Sequence, residues 1–477
     1  MVGRSKEIKE LKKRYNSAQS EFVAIYGRRR IGKTYLVRET FGDRFTFAHT
    51  GVARGTQRRQ LTAFRRSLKK AGLKDVGEIK DWFEAFDCLE DYVETLPDGK
   101  KVLFLDELPW MDTGRGDFIG ALEHFWNGWA SARKDVLLIV CGSATSWMIN
   151  KVIKDKGGLH NRVTCNVFLR PFTLAECRLF AREKRLSLTN ADLAELYMAI
   201  GGVPFYWTYL ESGMSAAQNF DTLFFGDTAK MRNEFGQLYA SLFKRPETYL
   251  KIVTALATKK IGMTRDELVD AAHVSKNGKL TLVLEELEQC GFVRRYTDFV
   301  HRKNDAVYQL VDAFTLFYFR FMHGESNADP HYWSTHARAP VVASWRGIAF
   351  ERLCLAHVDQ IKAALGISGV SARVFAWSHR PQYKGDRGCQ IDLLIDRDDN
   401  VINACEMKFT GGRYDVGERE ALDLETKLDV LRRVSKTQKA VHLTMVTAHG
   451  LTENPNGRCV QSTVTLEDLF KGGILIP

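Results

Sequence analysis

Eight consecutive residues, Gly27-Arg28-Arg29-Arg30-Ile31-Gly32-Lys33-Thr34, fit the pattern G-x-x-x-x-G-K-[ST] at every fixed position. The chemistry of that spacing is phosphate capture. The glycines let the backbone fold into a concave nest of N–H groups, and a helix starting at its end adds a favourable dipole. Lys33 is expected to reach the β- and γ-phosphates, and Thr34 to hold Mg²⁺. The apolar run Phe22 to Tyr26 reads as a buried strand, and Tyr35 to Thr40 continue as helix. With a strand before it and a helix after it, the row is expected to bind a nucleoside triphosphate rather than form an ordinary glycine turn.

Val102-Leu103-Phe104-Leu105 reads as a second strand and ends in Asp106-Glu107. An acid at that tip is placed to help hold Mg²⁺, which is the role expected of Asp106. Glu107 is expected to polarise the attacking water. A third strand, Val136 to Cys141, runs into Gly142-Ser143. Ser143 either senses the γ-phosphate or belongs to a plain strand-ending turn.

A second constellation lies far downstream. Gln390 to Ile395 alternates like a strand, Val401 to Phe409 is another, and the polar row Asp396 to Asn400 joins them as a hairpin. With the turn centred near Asp399, Asp392 falls roughly opposite Glu406, and alternation puts Glu406 and Lys408 on one face. Glu351 sits upstream in an apolar-periodic helix with Ile348, Leu353, Cys354 and Val358. Carboxylates holding Mg²⁺ beside a lysine that orients water suit phosphodiester hydrolysis. In that reading Asp392 and Glu406 are the metal ligands, Lys408 serves the water, and Glu351 completes the site. Charges on the surface of a strand pair are the other reading.

The elements that must position these groups divide the chain. Residues 1–171 alternate β-like runs with helices, the pattern of a parallel sheet covered by helices. Residues 172–245 read as helical, interrupted by Gly201-Gly202-Val203-Pro204. In 246–322, Thr264-Arg265-Asp266-Glu267 starts like a capped helix, and Leu280, Val283, Leu284 and Leu287 share a face of the next. Helices followed by a β-wing suggest a winged helix. Its third helix carries Glu285, Glu286 and Glu288, which argues against direct DNA reading by that helix. Residues 323–340 read as a connector, and 341–477 as a separate tail domain.

The chain has 477 residues and a net charge of +11. Residues 1–170 carry 31 Lys and Arg against 21 Asp and Glu, while the rest is nearly balanced. Much of the excess lies in Arg54 to Lys74, where Leu61, Phe64, Leu68 and Ala71 mark one helical face and Arg58, Arg59, Arg65, Arg66, Lys69 and Lys70 occupy the rest. That helix either tracks a nucleic-acid backbone or is a solvated exterior. No apolar run approaches the roughly 20 residues that cross a bilayer, so no membrane partner is expected. The nine scattered cysteines fit a reducing compartment, and no signal peptide is visible. Cytoplasmic placement is the expectation.

Together these residues resemble the STAND branch of AAA+-related P-loop ATPases, in particular archaeal-type ATPases with a nuclease-like C-terminal domain. Val2-Gly3-Arg4 with Glu7 is similar to that family's G-R-E-x-E motif, which implies that Gly3 and Arg4 lie near the nucleotide; Ser5 stands where the motif has its first glutamate. The loop from Tyr26 to Tyr35, Leu105-Asp106-Glu107 and Gly142-Ser143 match the rest of the nucleotide site. Gly202-Val203-Pro204 resembles the G-x-P element, which implies that Pro204 packs near the base. Arg162 matches an arginine near the phosphates. Glu351, Asp392, Glu406 and Lys408 look like the PD-(D/E)xK restriction-endonuclease fold.

The resemblance implies an α/β architecture: a P-loop NTPase parallel sheet, a helical lid, a winged helix and a restriction-endonuclease-like α/β domain. ATP and Mg²⁺ are the expected cofactors, with DNA or RNA and an ATP-dependent homo-oligomer as partners. The expected activity is ATP hydrolysis coupled to Mg²⁺-dependent cleavage. A regulatory ATPase whose tail only binds nucleic acid or protein is the alternative. A small-molecule kinase fits less well, because Glu107 follows Asp106 and large accessory segments follow the core.

Overall fold

The computed structural model describes residues 2–471 apart from 115, 155–156, 244, 297–298, 300–305, 324–328, 380, 382 and 385. Two compact units result, Met1–Pro171 and Phe172–Pro477.

The first unit is built on five parallel strands, β1 (Glu21–Tyr26), β2 (Phe45–Thr50), β3 (Lys101–Asp106), β4 (Val136–Gly142) and β5 (Cys165–Phe168). Their spatial order is β2-β3-β4-β1-β5. β3 and β4 are buried along their whole lengths, because helices cover both faces of a parallel sheet. One apolar layer contains Phe22, Leu103 and Leu138, and the other contains Val23, Val102 and Ile139. The order reverses at β1, which leaves a crevice at the strand ends. Since all five strands run the same way, the residues following β1, β3, β4 and β5 gather at that edge.

The helix Gln57–Ala71 buries Leu61, Phe64 and Leu68 as the periodicity requires. Arg58, Arg59, Arg66, Lys69 and Lys70 are exposed. Arg65 departs from the expected basic face. Its guanidinium donates to the Val76 carbonyl through Nε at 2.9 Å and Nη2 at 2.7 Å, so it fastens the following loop.

The second unit begins with helices Leu174–Glu183, Asn190–Ile200, Pro204–Trp207, Ala216–Phe224 and Glu234–Leu242. The first, second and fourth open with capping boxes. The Gly201–Pro204 row ends one helix and starts another, with Gly201 at φ +60° and Pro204 in the first turn that follows. Gly202 is fixed by close approach. A Cβ there would lie 1.9 Å from the Phe172 carbonyl oxygen, while the Phe172 N–H donates to the Gly202 carbonyl at 2.6 Å. Gly202→Ala is expected to destabilise the unit by about 3 kcal/mol, the upper range for overpacking, read as a lowered denaturant midpoint.

Next come the helix Pro246–Ala257, β6 (Met263–Thr264), helices Arg265–Ala272 and Gly278–Gln289, and strands β7 (Val293–Tyr296) and β8 (Val307–Leu310). The strands form an antiparallel sheet in the order β6-β8-β7. The capped start at Thr264 forms as expected, with Glu267 accepting in return from the Thr264 N–H at 2.9 Å. Leu280, Val283, Leu284 and Leu287 are the buried face of their helix.

The stretch read as a connector behaves differently among its described residues, and 324–328 lies outside them. Trp333 is fully buried and stacks on Phe220 with ring centroids 4.3 Å apart. The loop-like composition concealed this, because one large aromatic outweighs its polar neighbours once a pocket receives it. The same core continues into the tail: Arg346 pairs with Glu195 at 2.6 Å, and the Leu174 N–H donates to His357 Nε2 at 3.0 Å. That continuity makes Phe172–Pro477 one unit.

The tail places the helix Pro340–Ala356 before a five-stranded sheet of β9 (Ala372–His379), β10 (Cys389–Arg397), β11 (Val401–Lys408), β12 (Ala440–Thr447) and β13 (Ser462–Thr465). The order is β13-β12-β11-β10-β9, antiparallel from β9 to β11 and parallel from β11 to β13. The long helix Glu418–Ser435 makes the crossover from β11 to β12 that parallel pairing needs.

Candidate functional site

The phosphate-binding row lies between β1 and the helix Lys33–Phe41. Gly27 has φ +143°, and a Cβ there would meet the Leu169 carbonyl oxygen at 2.4 Å and Ile31 Cδ1 at 2.7 Å. Gly32 has φ +86° and caps the helix. Nothing lies within 4 Å of where its Cβ would be, so open space stands over the helix start. Arg30 is also left-handed at φ +69°. Arg28 is buried, and Arg29 and Arg30 are half-buried. Ile31 is buried in the apolar layer, and Tyr35 is exposed.

Lys33 is buried, its ammonium resting on the carbonyls of Gly27 and Arg28 at 3.0 Å each. Thr34 Oγ1 donates to Asp106 Oδ2 at 2.9 Å, so the two expected Mg²⁺ groups meet although β4 separates their strands. Burial raises the pKa of Asp106 and the Thr34 hydroxyl partly offsets that, which leaves a carboxylate that gains from a bound cation. An open glycine nest, a buried ammonium and a hydroxyl–carboxylate pair fit a magnesium–nucleotide phosphate.

The structure joins two residues that the sequence treated separately. Ser143 donates to Glu107 Oε2 through Oγ at 2.8 Å and through its N–H at 3.3 Å. Glu107 sits at φ +51°, just past β3. The expected sensor thus holds the expected base.

Arg4 is buried and donates through Nη2 to the Arg170 carbonyl at 2.7 Å and to the Ile31 carbonyl at 3.4 Å. It braces the loop's backbone against the end of β5. Gly3, at φ +63°, precedes it. Arg162 is exposed, ahead of β5. Pro204 belongs to the second unit, where it starts a helix.

In the second unit, the hairpin register pairs Leu393 with Cys405 and Asp396 with Ile402, which sets Asp392 across from Glu406. Asp392 Oδ2 accepts the Met407 N–H at 3.1 Å. Glu351, Asp392, Glu406 and Lys408 line one cavity of 370 Å³, together with Lys260, Gln390 and Lys427. All four residues singled out from the sequence are therefore brought together.

Their partners were not foreseen. Glu351, buried, is bound by Lys260 at 2.6 Å and by Arg352 at 2.8 Å. Glu406 accepts from Lys427 Nζ at 3.0 Å, and Lys408 pairs with Glu420 at 3.0 Å. Among the described residues, no three His, Cys, Asp or Glu side chains are grouped to hold a metal. Two hard oxygen donors, Asp392 and Glu406, remain as a pair fit for Mg²⁺.

Electrostatics supports that pair. Burial and then the neighbouring Asp392 push Glu406 up to about 7. Burial and then Glu351 raise Asp392 above its ordinary value. In both groups burial is the larger cause and a neighbouring carboxylate the second. Burial opposes the charge on Lys408, yet Glu420 holds its pKa above the ordinary value. Lys408 stays an ammonium. Lys427 lies in the crossover helix and Lys260 in the turn Thr258-Lys259-Lys260-Ile261; neither sequence context signals a site.

Residues 1–210 match a family described as an ATPase domain predominantly from Archaea. An uncharacterized protein of Methanocaldococcus jannaschii is 24% identical over 412 residues, covering 84% of this chain and 85% of that protein. A Walker-type ATPase of Pyrococcus abyssi has a TM-score of 0.48 at 18% identity, covering 67% of this chain and 96% of its own. The ORC2 protein of Aeropyrum pernix, in ADPNP–ADP complexes, has a TM-score of 0.41 at 14% identity, covering 73% and 94%. No helix among the described residues is long and apolar enough to cross a membrane. By its family match and its own loop geometry, the first unit has the parallel α/β fold of a P-loop ATPase, and ATP is the ligand that this match supports.

Proposed function

We propose that this chain is an ATP-driven switch of the STAND type whose tail is a metal-dependent phosphodiesterase acting on DNA or RNA. One observation carries the reading: Glu351, Asp392, Glu406 and Lys408, from three separate elements, line one cavity. Asp392 and Glu406 would hold Mg²⁺, which when bound polarises a phosphate and lowers the pKa of its water. Lys408, kept charged by Glu420, offsets charge developing on the phosphate. Lys427 fixes the Glu406 carboxylate in place. Carboxylates alone bind Mg²⁺ weakly, so substrate phosphates complete the site. Cleavage of single- or double-stranded DNA or RNA by the full chain, with Mg²⁺ or Mn²⁺ and with or without ATP, tests the reading. Failure on every substrate sinks it.

A second reading rests on the lysines. Because Lys260 and Lys427 already neutralise Glu351 and Glu406, the tail would bind nucleic acid or protein without cutting it. Binding without cleavage in the same assay selects this alternative.

The element order of residues 246–310 and their β6-β8-β7 sheet support a winged helix. Its third helix gives Glu286 to the Tyr249 hydroxyl, which favours a structural role over DNA reading. Arg162 is assigned as a phosphate-sensing arginine of the first unit.

The exposed basic face of Gln57–Ala71 is assigned to a nucleic-acid backbone. Replacing Arg58, Arg59 and Arg66 with glutamine is expected to flatten the salt dependence of DNA binding, by about 0.9 in log–log slope for each phosphate left unneutralised. The buried Leu61, Phe64 and Leu68 keep the fold. An unchanged slope returns the helix to ordinary surface.

A further inference from the structure

We propose that Lys260 is an internal occupant of the carboxylate pocket that competes with a divalent metal ion, so that the pocket takes metal only when the side chain of this lysine withdraws. The inference rests on the reading of Asp392 and Glu406 as metal ligands.

Lys260 comes from the turn between the helix Pro246–Ala257 and β6, well outside the tail that supplies the carboxylates. Its ammonium lies 2.6 Å from Glu351 Oε2. The base of the side chain is anchored, since the Lys260 carbonyl accepts from Gln309 Nε2 at 2.8 Å and also from Arg352 Nη2. The turn is thus held in register with the pocket by two side chains. The carboxylate it meets is 4% exposed, whereas the Lys260 side chain is 40% exposed. Such an ammonium keeps a route back to water, and withdrawing it costs little desolvation.

Charge supplies the competition. A second cation entering the same small cavity is repelled by the first. Removing the ammonium does not orphan Glu351, because Arg352 Nη1 stays 2.8 Å away. Lys427 is an unsuitable candidate for the same part, since it holds Glu406 itself and is mostly buried at 19% exposure.

The test is Mn²⁺ binding to the full chain without nucleotide, followed by electron paramagnetic resonance. Asp392→Ala identifies the component that belongs to this pocket. Lys260→Met is expected to tighten that component by about tenfold, a conservative share of the Coulomb term. Lys260→Gln, which keeps a polar tip in case the methionine variant folds poorly, is expected to do the same. Lys260→Arg should stay near the parent chain. If Asp392→Ala loses Mn²⁺ while Lys260→Met and Lys260→Gln bind it as the parent does, the metal site stands and the competition is refuted. If no chain shows an Asp392-dependent component, the metal reading falls and the competition with it.

Discussion

Glu107→Gln is expected to leave ATP binding intact and to slow hydrolysis by at least about a hundredfold, the lower range for losing a general base. The amide keeps the size of the carboxylate and can still meet Ser143, but it cannot take a proton. Ser143→Ala is expected to lower the rate as well, because both hydrogen bonds to Glu107 Oε2 come from this residue and the hydroxyl's is the shorter, at 2.8 Å. The backbone N–H remains in that variant, so its loss should be smaller than that of Glu107→Gln. Lys33→Ala is the contrasting case. It removes the ammonium over the loop carbonyls and is expected to abolish tight ATP binding altogether. Nucleotide titration alongside phosphate release separates the three. If Glu107→Gln turns over ATP at the parent rate, Glu107 is not the base and its bond to Ser143 is merely structural.

That bond also marks where reading a sequence stops. The loop Gly27–Thr34 was legible because backbone conformation dictates residue type there: only glycine tolerates the Leu169 carbonyl 2.4 Å from its Cβ position. Asp106 was legible from the apolar run that ends on it. The Glu107–Ser143 bond was not, since it depends on β4 lying beside β3, and strand order is not written in either strand. β5 passed unnoticed for a related reason. Its four residues alternate buried and exposed at an edge of the sheet, too short a run to stand out from its surroundings.

The tail repeats the contrast. The hairpin register followed from its turn, so Asp392 opposite Glu406 came with it. Lys260 could not be foreseen, because its role is made by packing between segments rather than by local pattern. Glu351 reaches the expected cavity, and its partners there, Lys260 and Arg352, come from packing that the sequence pattern does not show. Trp333 shows the opposite failure. Its surroundings looked like a linker, and burial against Phe220 overrode them.

The largest effect is expected in the tail, where Asp392→Ala should reduce nucleic-acid cleavage by about a thousandfold or more, since groups acting as one unit fail together. ATP hydrolysis should be spared, because its residues belong to the other compact unit. Acidity gives the reading a second signature. Glu406 is pushed up to about 7 from an ordinary 4.5, by burial and then by Asp392. Metal ligation requires the deprotonated form, so cleavage should rise as pH increases through about 7. Stability should move the other way. Between 4.5 and about 7 the folded chain keeps a proton that the unfolded chain has released, so the contribution is complete below 4.5 and is lost as pH rises through about 7. Glu406→Gln cannot titrate and should flatten this part of the stability profile while eliminating cleavage. Denaturant midpoints and cleavage rates, both measured without added nucleotide from about pH 5 to about pH 8 in roughly half-unit steps, test the pair of trends against the linkage. Cleavage that survives Asp392→Ala, or a parent chain whose activity and stability rise together with pH, would remove these carboxylates from the chemistry.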